Sequence, residues 1–427
     1  MKERIAVIDG VRTPFCKAGG VFLNWEADDL GAFVVRELLD RLDDFKGQID
    51  ELIFGNVLQP PHAANIARVL AVKGGVPVDV PAFTINRNCA SGLEAIATGA
   101  DKIRVGGDAD VILAGGTESM SNYPVLFRKP MKEFFLRFPK AKTWKEKLFL
   151  FSSLKLLDLK PEIPGIADPL CGMTMGQLGE VLAREFHVTR DEQDAYALMS
   201  QQRSVRARNE GKFADEIIPI PSPPSYAMQQ EDNGIREETS LDALAKLPPV
   251  FEKETGSVTA GNSSQVTDGA AAVLLMRESK AKELGLSPLG YFLDYSCAAL
   301  DPRRMGLGPV FATSKLLDKM GMTLDDISLI EINEAFAAQV IAAKNAFSSD
   351  AFARRELNRD RAVGELDWDR LNVNGGAISL GHPLGASGTR LILTLLKELK
   401  RRQLSLGLAA LCIGGGQGEA AIVEVAS

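Results

Sequence analysis

Cys89 lies where the strand-like run Phe83-Thr84-Ile85-Asn86 gives way, through Asn88-Cys89-Ala90-Ser91-Gly92, to the helical pattern Leu93 to Ala100. A thiol at a helix start feels the aligned amide dipoles, which favour a thiolate and suit a nucleophile; the alternative is a small residue packed into a tight turn. His382 stands in Gly381-His382-Pro383-Leu384-Gly385-Ala386-Ser387-Gly388, where glycine and proline hold an irregular backbone just before another helix. An imidazole is the usual partner for activating a cysteine. Cys412 closes the apolar run from Leu406 and precedes Ile413-Gly414-Gly415-Gly416-Gln417-Gly418, whose bare backbone can approach a ligand and offer amide N–H groups. This second thiol either moves protons or completes a core strand. Asn333 follows the run Ile327 to Ile332 and opens Asn333-Glu334-Ala335-Phe336-Ala337-Ala338, a helix-like segment. There it is an N-cap, or it holds a water or carbonyl oxygen beside the nucleophile.

A repeated unit positions these groups. The order of strand, turn, helix Leu93 to Ala100 and strand Val111 to Ala114, ending in Gly115-Gly116, recurs in the second half. There Asn372-Val373-Asn374 leads through a glycine-rich loop to the helix Thr389 to Leu399 and the strand Leu406 to Cys412. Ala90 and Ala114 are 24 positions apart, as are Ala386 and Ala410. Such βαβ units favour parallel strands with helices on their faces, so the chain is expected to be an α/β protein of two related halves. Between them, Ser121 to about Val250 changes character, with charged helices at Met175 to Phe186 and Arg190 to Gly211 and a proline-rich stretch at Pro219 to Pro224. This reads as an excursion laid over the core.

The composition of the 427 residues, 45% hydrophobic and 25% charged, is that of a globular protein large enough for two packed halves. A net charge of −7 argues against a nucleic-acid partner. The start, MKERIAVIDG, enters a strand pattern at once and suggests no secretory or transit segment. The run Leu148 to Leu159 is interrupted by two serines, Lys155 and Asp158, so no membrane span is expected. Five cysteines, odd in number and without a C-x-x-C pair, fit reduced thiols in a cytoplasmic protein. With three histidines and none at ligand spacing from a cysteine, no metal site is expected.

The motifs at 88–92, 333–337, 381–388 and 412–418, with Val11-Arg12-Thr13-Pro14-Phe15 at the start and Val258-Thr259-Ala260-Gly261-Asn262-Ser263-Ser264 before Asp268-Gly269-Ala270, together resemble the thiolase family over nearly the whole chain. The resemblance implies two duplicated βαβαβαββ halves in a five-layered core plus a loop domain. It divides the chain into a first part of the N-terminal half (1–120), a loop domain over the CoA channel (121–250), the return of the N-terminal half (251–288) and the C-terminal half (289–427). It also implies acyl transfer between CoA thioesters, in β-oxidation or its reverse. Cys89 is then the nucleophile, and His382 with a water held by Asn333 forms a first oxyanion site. Cys412 is the acid and base at carbon, and the N–H groups of Cys89 and Gly414 form a second oxyanion site. Arg236 and Ala243 map near the CoA nucleotide, Phe251, Ala260 and Ser264 along the pantetheine, and Met175 and Phe336 near the thioester. CoA and acyl-CoA are substrates, with no tightly bound cofactor, and a homodimer or homotetramer is implied.

Two features depart from simpler members. Thr174 stands where short-chain thiolases carry histidine, and the stretch Ser121 to Met175 is longer than in biosynthetic acetoacetyl-CoA thiolases. That stretch resembles the β-subunits of trifunctional fatty-acid-oxidation complexes, which commonly carry histidine where this chain has Asn333. From Arg128 to Lys160 there are ten basic and three acidic residues, a formal +7, interleaved with Phe134, Phe135, Phe138, Trp144, Phe149 and Phe151. This basic, amphipathic segment suits an α-subunit of such a complex or a membrane surface, or else caps its own core. A ketoacyl synthase, with two histidines, and a non-catalytic thiolase-like lipid carrier are the rival readings.

Overall fold

The computed structural model describes residues 3–42, 48–106, 109–162 and 167–425. Its elements fall into two sets of the same order. The first runs β1 (Ile5–Arg12), the two-residue β2 (Cys16–Lys17), α1 (Ala27–Arg41), β3 (Glu51–Gly55), α2 (Ile66–Gly74), β4 (Ala82–Ile85), α3 (Ser91–Val105) and β5 (Val111–Glu118). An excursion follows with α4 (Lys129–Arg137), α5 (Trp144–Ser153), α6 (Met175–Glu185), α7 (Arg190–Asn209), β6 (Ile220–Ser222), β7 (Ala227–Gln229) and α8 (Leu241–Ala245), before β8 (Thr267–Arg277) completes the first half. After α9 (Glu278–Glu283) the second set runs β9 (Gly290–Ala299), α10 (Gly308–Met320), β10 (Leu329–Ile332), α11 (Ala337–Phe347), α12 (Asp350–Phe352), α13 (Ala377–Leu380), α14 (Leu384–Arg402), β11 (Leu406–Ile413) and β12 (Gln417–Glu424).

The main sheet has the order β10-β11-β12-β9-β1-β8-β5-β3-β4, and its centre is the antiparallel β1–β9 seam, with Ile5 opposite Phe292. Outward from that seam, β8, β5, β3 and β4 answer β12, β11, β10 and a single parallel bridge between Ile330 and Leu371. The sheet is mixed. Strands are parallel in the outer part of each half, β3 with β4 and β5, and β10 with β11; β8 and β12 run antiparallel to their neighbours. The Asn372 to Asn374 run thus replaces a strand with one bridge.

Three large apolar clusters separate five layers. One joins α1 and α2 to the first half of the sheet through Leu30, Val34, Leu70 and Leu52. A second joins α10 and α11 to the other half through Val310, Leu316, Val340 and Ile330. Between the two half-sheets lie α3 and α14, with Leu93, Ile96, Leu391 and Leu395 in the middle cluster. Helix α14 is buried from Gly385 to Leu399 although it contains charged residues. Each has a partner: Arg390 pairs with Glu331 at 2.8 Å, Lys397 donates to the Asp215 carbonyl at 2.8 Å, and Glu398 accepts from Asn374 at 3.0 Å. Buried charge is tolerable only when so matched.

The excursion is less separate than its composition suggests. Leu178, Leu182, Val188, Tyr196 and Ala197 of α6 and α7 belong to the core cluster of the second half. Arg12 of β1 is buried between Glu216 and Asp232, at 2.7 and 2.6 Å. The segment 126–162 differs: α4 and α5 pack mainly on one another through a cluster of Phe134, Phe135, Phe138 and Phe151. Phe134 is 8% exposed and is the core of that hairpin, whereas Trp144 and Phe149 are 70% and 71% exposed. Among the described residues no helix is long and apolar enough to cross a membrane.

Candidate active site

The two helices of the central layer begin against each other. A Cβ on Gly92 would lie 2.6 Å from the Gly385 carbonyl oxygen, and one on Gly388 would overlap the Leu93 amide. Only glycine allows this approach. The turns leading into α3 and α14, one with Cys89 and one with His382, are thereby brought together.

The Cys89 turn is built locally. Asn88 takes a left-handed backbone, φ 45°, which asparagine tolerates better than most residues. Ser91 closes the turn by accepting from the Arg87 amide at 2.9 Å and donating to the Asn88 carbonyl at 2.7 Å. The backbone amides of Gly414 and of Cys89 itself act to lower the Cys89 thiol. They oppose burial without overcoming it, and the thiol is pushed up to about 11. The helix-start field therefore does not make a resting thiolate, as the sequence suggested it would; desolvation is the larger effect.

His382 is buried and its protonation is ordered by its neighbours. Ser387 donates its hydroxyl proton to the Pro383 carbonyl at 2.9 Å, so its oxygen accepts from His382 Nδ1–H at 2.6 Å. Nε2 is left as the acceptor, facing Nδ2 of Asn333 at 3.3 Å. Burial, and then the Arg390 cation, push the imidazole down to about 3, so it rests neutral. Asn333 is not an N-cap: α11 starts at Ala337, with Phe336 as its cap residue. Its amide N–H donates to the Ala410 carbonyl of β11 at 2.9 Å, which registers it two residues from Cys412. Its buried Oδ1 has no hydrogen-bond partner among the described residues.

Cys412 is buried at the end of β11, and its thiol is raised far above the ordinary range, by desolvation first and then by the nearby Cys89. The glycine loop after it is tied back: the Gly414 carbonyl accepts from Asn88 Nδ2 at 2.9 Å, and the Gly415 N–H donates to Asp168 Oδ2 at 2.7 Å.

Two acidic residues in this region were not found from the sequence. Glu118, at the end of β5, accepts from the amides of Val57, Leu58 and Gly385 at 3.1, 3.0 and 2.9 Å and from Asn56 Nδ2 at 3.0 Å. It thus links the His382 loop to the loop after β3, and desolvation raises it to about 7. Its place at the carboxyl end of β5, which runs parallel to β3, was the available signal. Asp168, in an irregular turn of the excursion, carried none.

The residues expected to hold CoA differ in their exposure. Arg236 and Ala243 are exposed, as is Ala260. Gly261, next to Ala260, packs against Leu244 and Leu247 beside Ala243. Ser264 donates its amide N–H to the Ala335 carbonyl at 2.9 Å, and the next residue, Gln265, accepts from the His382 amide at 3.2 Å. Phe251 and Phe336 stack edge to face at 6.1 Å, and Met175 Sδ lies 3.5 Å from where a Cβ on Gly414 would be.

One cluster has the donor set of a metal site. Carboxylate and thiol atoms of Glu94, Cys297 and Glu419 lie within 4.8 Å of one another. Arg87 already supplies a cation there, 2.7 Å from Glu94, and the carboxyl of Glu419 is raised far above its usual range by burial and by Glu94.

The chain belongs to the thiolase family: residues 5–279 match the model of the thiolase N-terminal domain and residues 286–425 that of the C-terminal domain. It is 44% identical over 424 residues, 99% of this chain and 97% of the relative, to a 3-ketoacyl-CoA thiolase of Yersinia enterocolitica, and equally to one of Serratia proteamaculans. Among solved structures it resembles the Bacillus anthracis acetyl-CoA acetyltransferase, at 36% identity and a TM-score of 0.85, with 99% of each chain covered. It also resembles human mitochondrial 3-ketoacyl-CoA thiolase in complex with CoA, at 37% identity and a TM-score of 0.84, covering 100% of this chain and 98% of that one.

Proposed function

We propose that this protein is an acyl-CoA:acetyl-CoA C-acyltransferase that cleaves 3-ketoacyl-CoA with CoA, or condenses in reverse, through an acyl-Cys89 intermediate. The observation that carries the reading is the 2.9 Å hydrogen bond from Asn88 Nδ2 to the Gly414 carbonyl, which ties the Cys89 turn to the glycine loop two residues after a second thiol, Cys412.

His382, resting neutral with Nε2 as acceptor, takes the Cys89 proton as the sulfur attacks the 3-keto carbon. The oxyanion is stabilised by His382 and a water on Asn333. The C2–C3 bond breaks, and Cys412 gives its proton to the acetyl-CoA enolate, which leaves. Cys412, now a thiolate, takes the proton of the incoming CoA thiol. The CoA sulfur attacks acyl-Cys89, whose second oxyanion faces the Cys89 and Gly414 N–H groups. Cys89 departs and recovers its proton from His382. A thiolate is both nucleophile and leaving group, so the intermediate stores the acyl group without trapping it. The track from Arg236, Ala243 and Ala260 through Ser264 to Phe251, Phe336 and Met175 is the proposed path of CoA.

A ketoacyl synthase would need a second histidine. His62 instead pairs with Asp28 at 3.1 Å, and His187 lies in the turn between α6 and α7. Incubation with acetoacetyl-CoA and CoA, following the enolate absorbance, tests the proposal: CoA-dependent loss is expected, and a flat trace would overturn it. A homo-oligomer in the cytoplasm, with the α4–α5 hairpin as a docking element, completes the proposal.

A further inference from the structure

We propose that Asp168 is a positioning residue: it locks the Gly414–Gly415 peptide so that the Gly414 N–H stays aimed at the Cys89 sulfur and at the oxyanion formed there. The inference rests on the acyl-transfer reading above.

Gly414, Gly415 and Gly416 have no side chains, and the last two have φ of 89° and 74°. Such a run has little steric preference among backbone conformations, so its hydrogen bonds must choose one. The planar 414–415 peptide is held at both ends, its carbonyl by Asn88 Nδ2 at 2.9 Å and its N–H by Asp168 Oδ2 at 2.7 Å. With both ends held, the unit cannot rotate, and the Gly414 N–H immediately before it keeps its direction.

Asp168 is itself fixed. It is 3% exposed, its Oδ1 accepts from the Leu170 amide at 2.8 Å, its own N–H donates to the Met173 carbonyl at 2.8 Å, and its carbonyl accepts from Gly172 at 2.7 Å. Among the described residues no cation pairs with it, so its buried oxygens are matched by amides alone. The same turn ends at Thr174, which caps α6 and delivers Met175 to Gly414. The excursion thereby holds Gly415, 247 residues away in sequence, and with it the neighbouring oxyanion donor Gly414.

The experiment compares Asp168→Ala, Asp168→Ser and Asp168→Asn, all checked for wild-type melting behaviour. Alanine, or serine if alanine fails to fold, removes the acceptor at Gly415. The expected result is a kcat for acetoacetyl-CoA thiolysis lower by about 10- to 100-fold with KM changed by less than about twofold, since an oxyanion donor acts in the transition state. Alkylation of Cys89 by iodoacetamide, read on the Cys89 peptide by mass spectrometry, should slow in parallel. Asp168→Asn offers one oxygen and one NH2 group to the two amides of Gly415 and Leu170, so it should recover only part of both rates. A folded alanine or serine variant with wild-type kcat and alkylation rate overturns the proposal. The alkylation arm needs no turnover, so it decides on Asp168 even if the wild-type protein fails to cleave acetoacetyl-CoA.

Discussion

Asn333 Nδ2 lies 3.3 Å from His382 Nε2, and Ser387 Oγ lies 2.6 Å from Nδ1 of the same ring, so the imidazole is held at both nitrogens by neutral groups. Among the described residues no carboxylate is bonded to the ring. The ring rests neutral, and its proton-accepting nitrogen is the one shared with Asn333. That relationship sets the pH behaviour of the site and of the fold.

Because His382 is pushed down to about 3, while an unfolded histidine titrates near 6.5, acid favours the unfolded chain. The full stability holds above 6.5 and is lost as pH falls from there through about 3. Between pH 8 and pH 5 this costs about 2 kcal/mol. Glu118 and Glu331, both raised to about 7, act in the opposite sense, stabilising below 4.5 and losing that as pH rises through 7. Urea unfolding of wild type and His382→Asn at the two pH values separates the contributions. The wild type should lose about 2 kcal/mol more than the variant; equal losses would mean that the ring is not buried.

Cys89→Ala should abolish turnover and covalent acylation. Mass spectrometry after incubation with acetyl-CoA should find an acetyl adduct on the wild type and none on the variant. An adduct persisting at full level would move the nucleophile elsewhere.

Cys412→Ala should leave acetyl exchange on Cys89 while stopping chemistry at carbon. General acid–base groups contribute roughly 10²–10⁴-fold, so thiolysis should fall by that order. A loss below about tenfold would make Cys412 only a core residue of β11.

The α4–α5 hairpin separates packing from docking. Replacing Phe134 would break the aromatic cluster, so the informative positions are Trp144 and Phe149, both largely exposed beside Lys145 and Lys147. Trp144→Ser with Phe149→Ser should leave acetoacetyl-CoA thiolysis nearly intact and weaken binding to anionic vesicles or to an α-subunit. Loss of oligomeric state or of folding would show instead that these rings are interface or core.

The sequence alone determined the repeat, the strand–turn–helix junctions and the four motifs carrying Cys89, Asn333, His382 and Cys412. Glycine, proline and small residues at fixed spacing are demanded locally by the turns, so they are legible locally. It did not determine which protonation state those groups adopt. The helix start at Ser91 suggested a thiolate at Cys89, but desolvation depends on what the other half of the chain packs over it, and only the fold supplies that. At Asn333 the sequence left an N-cap open beside the catalytic reading, because the actual helix start at Ala337 follows from packing of Phe336 against Gly179 and the bridge from Phe336 to Ser263. Phe134 and Trp144 look alike in a list of aromatics and differ only once α5 folds back on α4. Asp168 and Glu118 gave no motif, because a carboxylate that accepts backbone amides from distant loops is recognised by geometry and not by its neighbours in sequence.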